Sequence, residues 1–207
     1  MDSPALAALA EALHRALPGR DLTCDLSDAL GQAESPQAGA LPPGFRPLHA
    51  GRPFAGLAVT AQPQDTELGA VYAALEQAPA GSVLVVAGAA THAFWGERTT
   101  RAAQARGVRA AVLAGACRDV NAVRHLEFPV VCTGVTPGAG PRRAGGVIQL
   151  PVTLGGVGVR PGDLVVGDDS GVVVVPAARA LQLVPALLRD LPPAFLSAPS
   201  RPDRSSP

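Results

Sequence analysis

Between residues 82 and 133 the chain alternates short valine-rich runs with helix-patterned segments, and this alternation constrains the fold more than any other feature. Residues 82–86 (SVLVV), 108–114 and 130–133 have the length and composition of buried strands, while residues 95–106 and 120–125 fit helices. A strand, helix, strand succession joins parallel strands, so an α/β layer is expected, with ligands held by the loops at strand ends. Upstream, residues 54–61 read as a strand and 68–78 as a helix, closed by the turn Pro79-Ala80-Gly81.

The flanks have a different texture. Leu6, Ala10, Leu13 and Leu17 recur at helical spacing over residues 3–17, and Pro18-Gly19 ends that segment. Residues 22–30 read as a second helix with Thr23 or Asp25 as its cap, and residues 32–44 as a loop. From Gly146 the chain turns to short valine strands separated by Gly155-Gly156 and Asp169-Ser170-Gly171, the pattern of a β-meander. A last helix over 177–191 precedes a Pro/Ser/Arg-rich tail, 192–207, expected to be disordered. Residues 1–191 therefore read as a single domain, and no repeat of solenoid period is present.

Composition enters where it removes chemistry. All 17 basic residues are Arg and none is Lys, which closes every route through a lysine imine, a pyridoxal phosphate anchor or a Walker lysine. With 17 acidic residues the formal net charge is zero, leaving no electrostatic footprint for nucleic acid or an anionic membrane. The three cysteines, Cys24, Cys117 and Cys132, are odd in number and lack C-x-x-C spacing, so a reducing, cytoplasmic setting is expected rather than a disulfide or zinc framework. The apolar runs are too short to span a bilayer, and the N-terminus lacks a signal-peptide pattern.

Arg118-Asp119 follows a buried strand and a glycine, so both side chains emerge at a strand end. An aspartate there can ligate a hard divalent cation, and the adjacent arginine can hold a carboxylate or a developing enolate oxygen. On the dipeptide alone, a surface ion pair or an N-cap role for Asp119 is the commoner outcome. In the run Phe94-Trp95-Gly96-Glu97-Arg98-Thr99, Gly96 would let a ligand approach backbone N–H groups at a helix start. Glu97 could meet a metal or hold a proton, or be a first-turn acid favoured by the helix dipole. Asp163, Asp168 and Asp169 lie among glycines between valine strands, at spacings foreign to an EF-hand, and read as turn residues. The histidines 14, 49, 92 and 125 show no zincin spacing; His92 lies near Gly96 but is expected to face solvent.

The ordered series LSDALG (26–31), GLAVT (56–60), GSVLVV (81–86), WGE (95–97), RGVRAAVLAGACRDV (106–120), FPVVCTGVTP (128–137) and GGVGVRPGDLVVGDDSGVVVVP (155–176) resembles the RraA-like family. That family includes 4-hydroxy-4-methyl-2-oxoglutarate aldolases and oxaloacetate decarboxylases. The resemblance implies an α/β fold, the RraA-like swivelling three-layer β/β/α domain, assembled as a homotrimer or hexamer with sites at subunit interfaces. It implies that Asp119 binds Mg²⁺ or Mn²⁺ with waters filling most of the shell, and that Arg118 contacts the 2-oxo oxygen of a small 2-oxo acid. It further implies that the backbone from Gly96 through Glu97, Arg98 and Thr99 receives the pyruvyl carboxylate, and that Glu97 sits in the metal's water network. Breaking C3–C4 then leaves a pyruvate enolate, and the lack of lysine agrees with a metal route.

Three positions depart from the family pattern. Ala87 stands where an aspartate is usual, and Arg98 where an apolar residue is usual. Aldolase members also borrow a C-terminal acid from a neighbouring subunit, for which Asp190 and Asp203 are the candidates here. A different reading, a non-catalytic regulator that inhibits RNase E by protein–protein contact, is set apart by Asp119, which the resemblance implies such a regulator lacks. No glycine-rich strand–turn–helix followed by a ribose-binding acid supports a methyltransferase.

Overall fold

The computed structural model describes residues 4–31, 39–89 and 91–189. Two helices, α1 (Pro4–Ala16) and α2 (Leu22–Gly31), precede β1 (Arg46–Pro47) and the long β2 (Phe54–Gln62). Then follow α3 (Gly69–Gln77), β3 (Val83–Ala87), β4 (Ala93–Trp95), α4 (Glu97–Ala105), β5 (Ala110–Cys117), α5 (Val120–His125) and β6 (Val130–Val135). The last third holds β7 (Val147–Ile148), β8 (Val152–Leu154), β9 (Val157–Val159), β10 (Leu164–Asp168), β11 (Gly171–Val175) and α6 (Ala177–Arg189).

The main sheet runs β1-β6-β5-β3-β2-β10-β11, and its centre, β2-β3-β5-β6, is parallel, as the strand–helix alternation requires. β2 pairs with the two layers in succession. Its first residues pair antiparallel with β10 (Phe54 with Gly167, Leu57 with Leu164), and its later ones pair parallel with β3 (Ala58 with Val83, Ala61 with Val86). One strand thus carries the chain from the parallel layer into the valine-rich layer.

Alternation along the strands sorts the core into layers. Leu84, Val86, Ala111 and Leu113 face α3, α4 and α5, meeting Ala74, Leu75, Ala103 and Val123. Val83, Val85, Ala110 and Val112 point the other way, against Leu154, Val165, Val172 and Val174. These two interfaces are the β/α and β/β contacts of a three-layer β/β/α domain. The outer face of the valine-rich layer, with Leu164, Val166, Val173 and Val175, is covered by α1, α2 and α6 through Leu6, Leu13, Leu26, Ala180 and Val184. Arg109 fastens α1 from the sheet side, donating to the Ala55 carbonyl (2.8 Å) and pairing with Glu11.

Three sequence expectations need correction. The segment after Gly146 is not one meander: β7 pairs with β2, β8 and β9 form a separate hairpin, and β10 and β11 join the main sheet through β2. Short valine strands alternate identically whichever neighbour they take, so the sequence pattern leaves the partner open. Thr23 and Asp25 lie inside α2 rather than before it. Thr23 is buried and gives its N–H and hydroxyl to Asp168 (3.1 and 2.7 Å). Finally, Trp95 is not helical; it ends β4, paired with Cys117 of β5, and the helix starts after Gly96. The tail 192–207, Asp190 and Asp203 lie outside the described residues.

Asp163 and Asp168 are structural, as read. Asp163 accepts from the N–H groups of Arg160 (2.8 Å) and Ala177 (3.0 Å), fixing the turn before β10 to the start of α6. Asp168 accepts from Thr23 and from Ser170 N–H (2.9 Å), tying the β10–β11 turn to α2.

Candidate functional site

β5 is buried from Ala110 to Leu113 and again from Gly115 to Cys117, and it ends at Arg118 and Asp119, where the chain reaches solvent. Asp119 has φ 53° and ψ 37°, a left-handed conformation that aspartate tolerates better than most residues. That turn starts α5 and directs the carboxylate back toward α4. Its Oδ2 accepts the Glu97 N–H at 3.2 Å, one of the unpaired donors at the start of α4, and its Oδ1 accepts Arg118 Nε at 3.2 Å. Each oxygen keeps a further acceptor position.

Gly96 makes the approach possible. It is extended (φ −172°), so its role is spatial: a Cβ there would lie 2.6 Å from Asp119 Oδ2 and 2.8 Å from Arg118 Cγ. The strand that presents Gly96 is locked from several sides. Arg118 N–H donates to the Trp95 carbonyl (2.9 Å), and Trp95 Nε1 donates to the Thr100 hydroxyl (2.8 Å). The Thr99 hydroxyl accepts Gly96 N–H (2.9 Å), and Trp95 stacks on Phe128 with centroids 5.9 Å apart. Trp95 is therefore a core residue that holds the site's backbone.

A cavity of about 250 Å³ opens at this point, lined among others by Gly96, Arg98, Thr99, Arg118 and Asp119. Two residues that sequence reasoning missed complete it: Tyr72 from α3, and Arg142, whose guanidinium lies 4.1 Å from the Tyr72 ring centroid. The available signals were that Tyr72 is the only tyrosine and that Arg142-Arg143 is a basic pair in a loop of Gly and Pro. Among the described residues the lining thus carries three arginines and a single carboxylate, an environment suited to an anion with more than one negative charge.

Glu97 stands apart from its neighbours. Its carboxylate is not among the lining groups and pairs with Arg101 one turn along α4, at 2.8 Å from both Nε and a terminal nitrogen. His92 does not line the cavity either; it bonds to the Thr91 hydroxyl (3.1 Å). Cys117, next to Arg118, is buried, and burial pushes its thiol up to about 12, with Cys132 and Asp119 adding to the rise. It is no nucleophile.

An arginine–aspartate pair at a parallel strand end, closed over a glycine at a helix start in a β/β/α domain, defines an α/β protein with an arginine-lined cavity. The chain belongs to the RraA-like family, whose profile (Aldolase/RraA) matches residues 23–174. It is 36% identical over 137 residues to a protein of Halalkalibacterium halodurans that carries 4-hydroxy-4-methyl-2-oxoglutarate aldolase as a provisional name; the match spans just under two thirds, 65%, of either chain. A Burkholderia multivorans protein with the same provisional name is 35% identical over 158 residues, covering 73% of this chain and 94% of its own. Among solved structures, Streptomyces coelicolor RraAS2, described as an unusual member of the RNase ES inhibitor RraA protein family, superposes with a TM-score of 0.73 at 30% identity. That likeness covers 88% of this chain and 92% of the other. Among the described residues no helix is long and apolar enough to cross a membrane.

Proposed function

We propose that this chain is a divalent-metal-dependent carbon–carbon lyase. It cleaves 4-hydroxy-4-methyl-2-oxoglutarate or a related 4-hydroxy-2-oxo acid to pyruvate, and decarboxylates oxaloacetate through the same enolate. The observation that carries this reading is the convergence of Arg118, Asp119 and Gly96 on one cavity, within a family whose relatives bear the aldolase name.

Among the described residues Asp119 is the one carboxylate lining the cavity, and they contain no cluster of three His, Cys, Asp or Glu. That donor set fits Mg²⁺ or Mn²⁺, which keep waters and take remaining oxygens from substrate, with Asp119 as the protein ligand. Such an ion, when bound, supplies Lewis acidity to the 2-oxo group.

The chain's own residues do the rest. Arg118 spends Nε on Asp119 and offers its terminal nitrogens to the 2-oxo oxygen, where negative charge grows as C3–C4 breaks. The N–H groups of Arg98 and Thr99, left unpaired by helix geometry, receive the C1 carboxylate beside Gly96. In the aldol cleavage a base removes the C4 hydroxyl proton, the C3–C4 electron pair moves into the enolate, and C3 then takes a proton to give pyruvate. Glu97, at the start of α4, serves as that base only after leaving Arg101 and turning into the cavity, which its carboxylate does not line. Oxaloacetate needs no such base: its C4 leaves as CO₂, and the same enolate is protonated at C3.

This reading treats residues 1–191 as one cytoplasmic domain that assembles as a homotrimer or hexamer, supported by the exposed apolar side chains Val135, Val147 and Leu150. The test is a coupled pyruvate assay over a panel of 2-oxo acids, with and without Mg²⁺ or Mn²⁺. Metal-dependent release is expected. No release from any member of the panel would favour instead a non-catalytic regulator, the reading that the likeness to RraAS2 supports.

A further inference from the structure

The aldol cleavage and the decarboxylation end on the same step, in which C3 of the enolate takes a proton. Decarboxylation draws no proton from its substrate, so a donor in the cavity wall serves both reactions. Few of the described lining side chains can be that donor. The three arginines keep their charge at any working pH. Asp119 acts as an acceptor, from Glu97 N–H and from Arg118 Nε. Trp95 Nε1 is given to the Thr100 hydroxyl and the Thr99 hydroxyl to the Gly96 carbonyl (2.9 Å). The Glu97 carboxylate is not in the wall. Tyr72 remains, the one tyrosine of the chain.

Tyr72 is held from two directions. Its own N–H donates to the Leu68 carbonyl (3.2 Å) in the first turn of α3, a turn without a side-chain cap. That turn is closed instead by a loop, with Leu68 N–H on the Pro141 carbonyl (3.0 Å) and Ala70 N–H on the Gly145 carbonyl (3.1 Å). Between those two bonds the loop carries Arg142, whose guanidinium lies 4.1 Å from the Tyr72 ring centroid. A cation in that position attracts the neutral ring and attracts it more once the phenol has lost its proton. The phenol is half-buried, and among the described residues its hydroxyl meets no protein partner. A cavity of about 250 Å³ holds one small acid, so Tyr72 and Arg118 in its walls meet the same occupant.

Resting on the lyase reading, we propose that Tyr72 is the catalytic acid that protonates the enolate at C3, with Arg142 holding the phenolate it leaves. The phenol O–H bond breaks and its proton goes to C3. The C2–C3 π pair becomes the new C3–H bond, and a lone pair of the enolate oxygen re-forms the C2 carbonyl. The phenolate then takes a proton from water at the cavity mouth. In reverse, the phenolate removes a methyl proton from bound pyruvate, so the protein should exchange the methyl hydrogens of pyruvate with solvent.

The test follows that exchange in D₂O by proton NMR, using the full chain with Mg²⁺ and a melting curve for each variant. Tyr72→Phe keeps the ring beneath Arg142, and exchange should fall about 100-fold or more. Arg142→Gln should lower it about tenfold, and an unchanged rate there strikes Arg142 from the proposal. A second readout needs no turnover. With a single tyrosine, protein labelled with carbon-13 at the tyrosine ζ carbon gives one resonance. That resonance should shift when oxalate, a planar and unreactive mimic of the enolate, is added with Mg²⁺. Wild-type exchange in Tyr72→Phe, a resonance unmoved by bound oxalate, or no exchange by a wild type that binds oxalate overturns the role of Tyr72 and leaves the lyase reading standing. A wild type that neither exchanges pyruvate nor binds oxalate overturns the lyase reading, and this role with it.

Discussion

Gly96 and Asp119 are packed so closely that a methyl group at position 96 would lie 2.6 Å from the Asp119 carboxylate. The Asp119 carboxylate, 22 residues beyond Glu97 in the chain, returns to accept the N–H of that first residue of α4 at 3.2 Å. Gly96→Ala should therefore displace Asp119 and Arg118 without disturbing the core. We expect metal-dependent pyruvate release to fall about 100-fold, because displacements near 1 Å cost that much in positioned catalysis. Steady-state kinetics beside a melting curve checks this; wild-type turnover in Gly96→Ala would show that the close approach is incidental.

Asp119→Asn separates the carboxylate's chemistry from its structural role. Asparagine also tolerates the left-handed backbone and can still accept the Glu97 N–H. The melting temperature should move by about 2 °C or less, while turnover is lost and excess metal fails to restore it. Arg118→Lys should likewise lower kcat strongly, since the charge remains but the planar fork is gone. Loss of folding in Asp119→Asn would mark the pair as structural.

The thiols should respond very unequally. Cys24 is exposed, whereas Cys117 and Cys132 are buried, with Cys117 raised to about 12 and Cys132 raised by the same desolvation. A disulfide reagent at neutral pH should titrate one thiol in the native protein and three after unfolding. Rapid reaction of a second native thiol would contradict the packing of β5 against β6.

His14 gives the α1 interface a pH dependence of defined sign. Its Nδ1 accepts the Ala55 N–H (3.4 Å), and burial, then the neighbouring Arg15 charge, lower its pKa below 6.5. The unfolded chain therefore takes up a proton at a higher pH than the folded one. The stabilisation from this group is full above about 6.5 and is lost as pH falls toward the lowered folded value. Melting temperatures at pH 7.5 and 5.5 should differ more in wild type than in His14→Gln; equal differences would remove His14 from the acid sensitivity.

Much of this was legible in the sequence for a physical reason. The parallel layer is buried on both faces, so its strands read as unbroken apolar runs, and α5 falls on residues 120–125 as expected from the pattern. The partners of β7 and β10 were not legible, because they are chosen by β2, which pairs with both layers. Tyr72 and Arg142 meet only because carbonyls of the loop around residue 142 cap α3, some seventy residues earlier, and no local periodicity encodes such a contact. The Glu97–Arg101 pair was visible in principle: its i, i+4 spacing is the ordinary signature of a helix-surface ion pair.

The most direct test of the central claim is pyruvate release from 4-hydroxy-4-methyl-2-oxoglutarate by metal-stripped protein, titrated with Mg²⁺ or Mn²⁺, for wild type and Asp119→Asn in parallel. The account predicts no release without metal, saturable recovery in wild type and none in Asp119→Asn. Release that persists after thorough chelation, or recovery in both proteins alike, would contradict it.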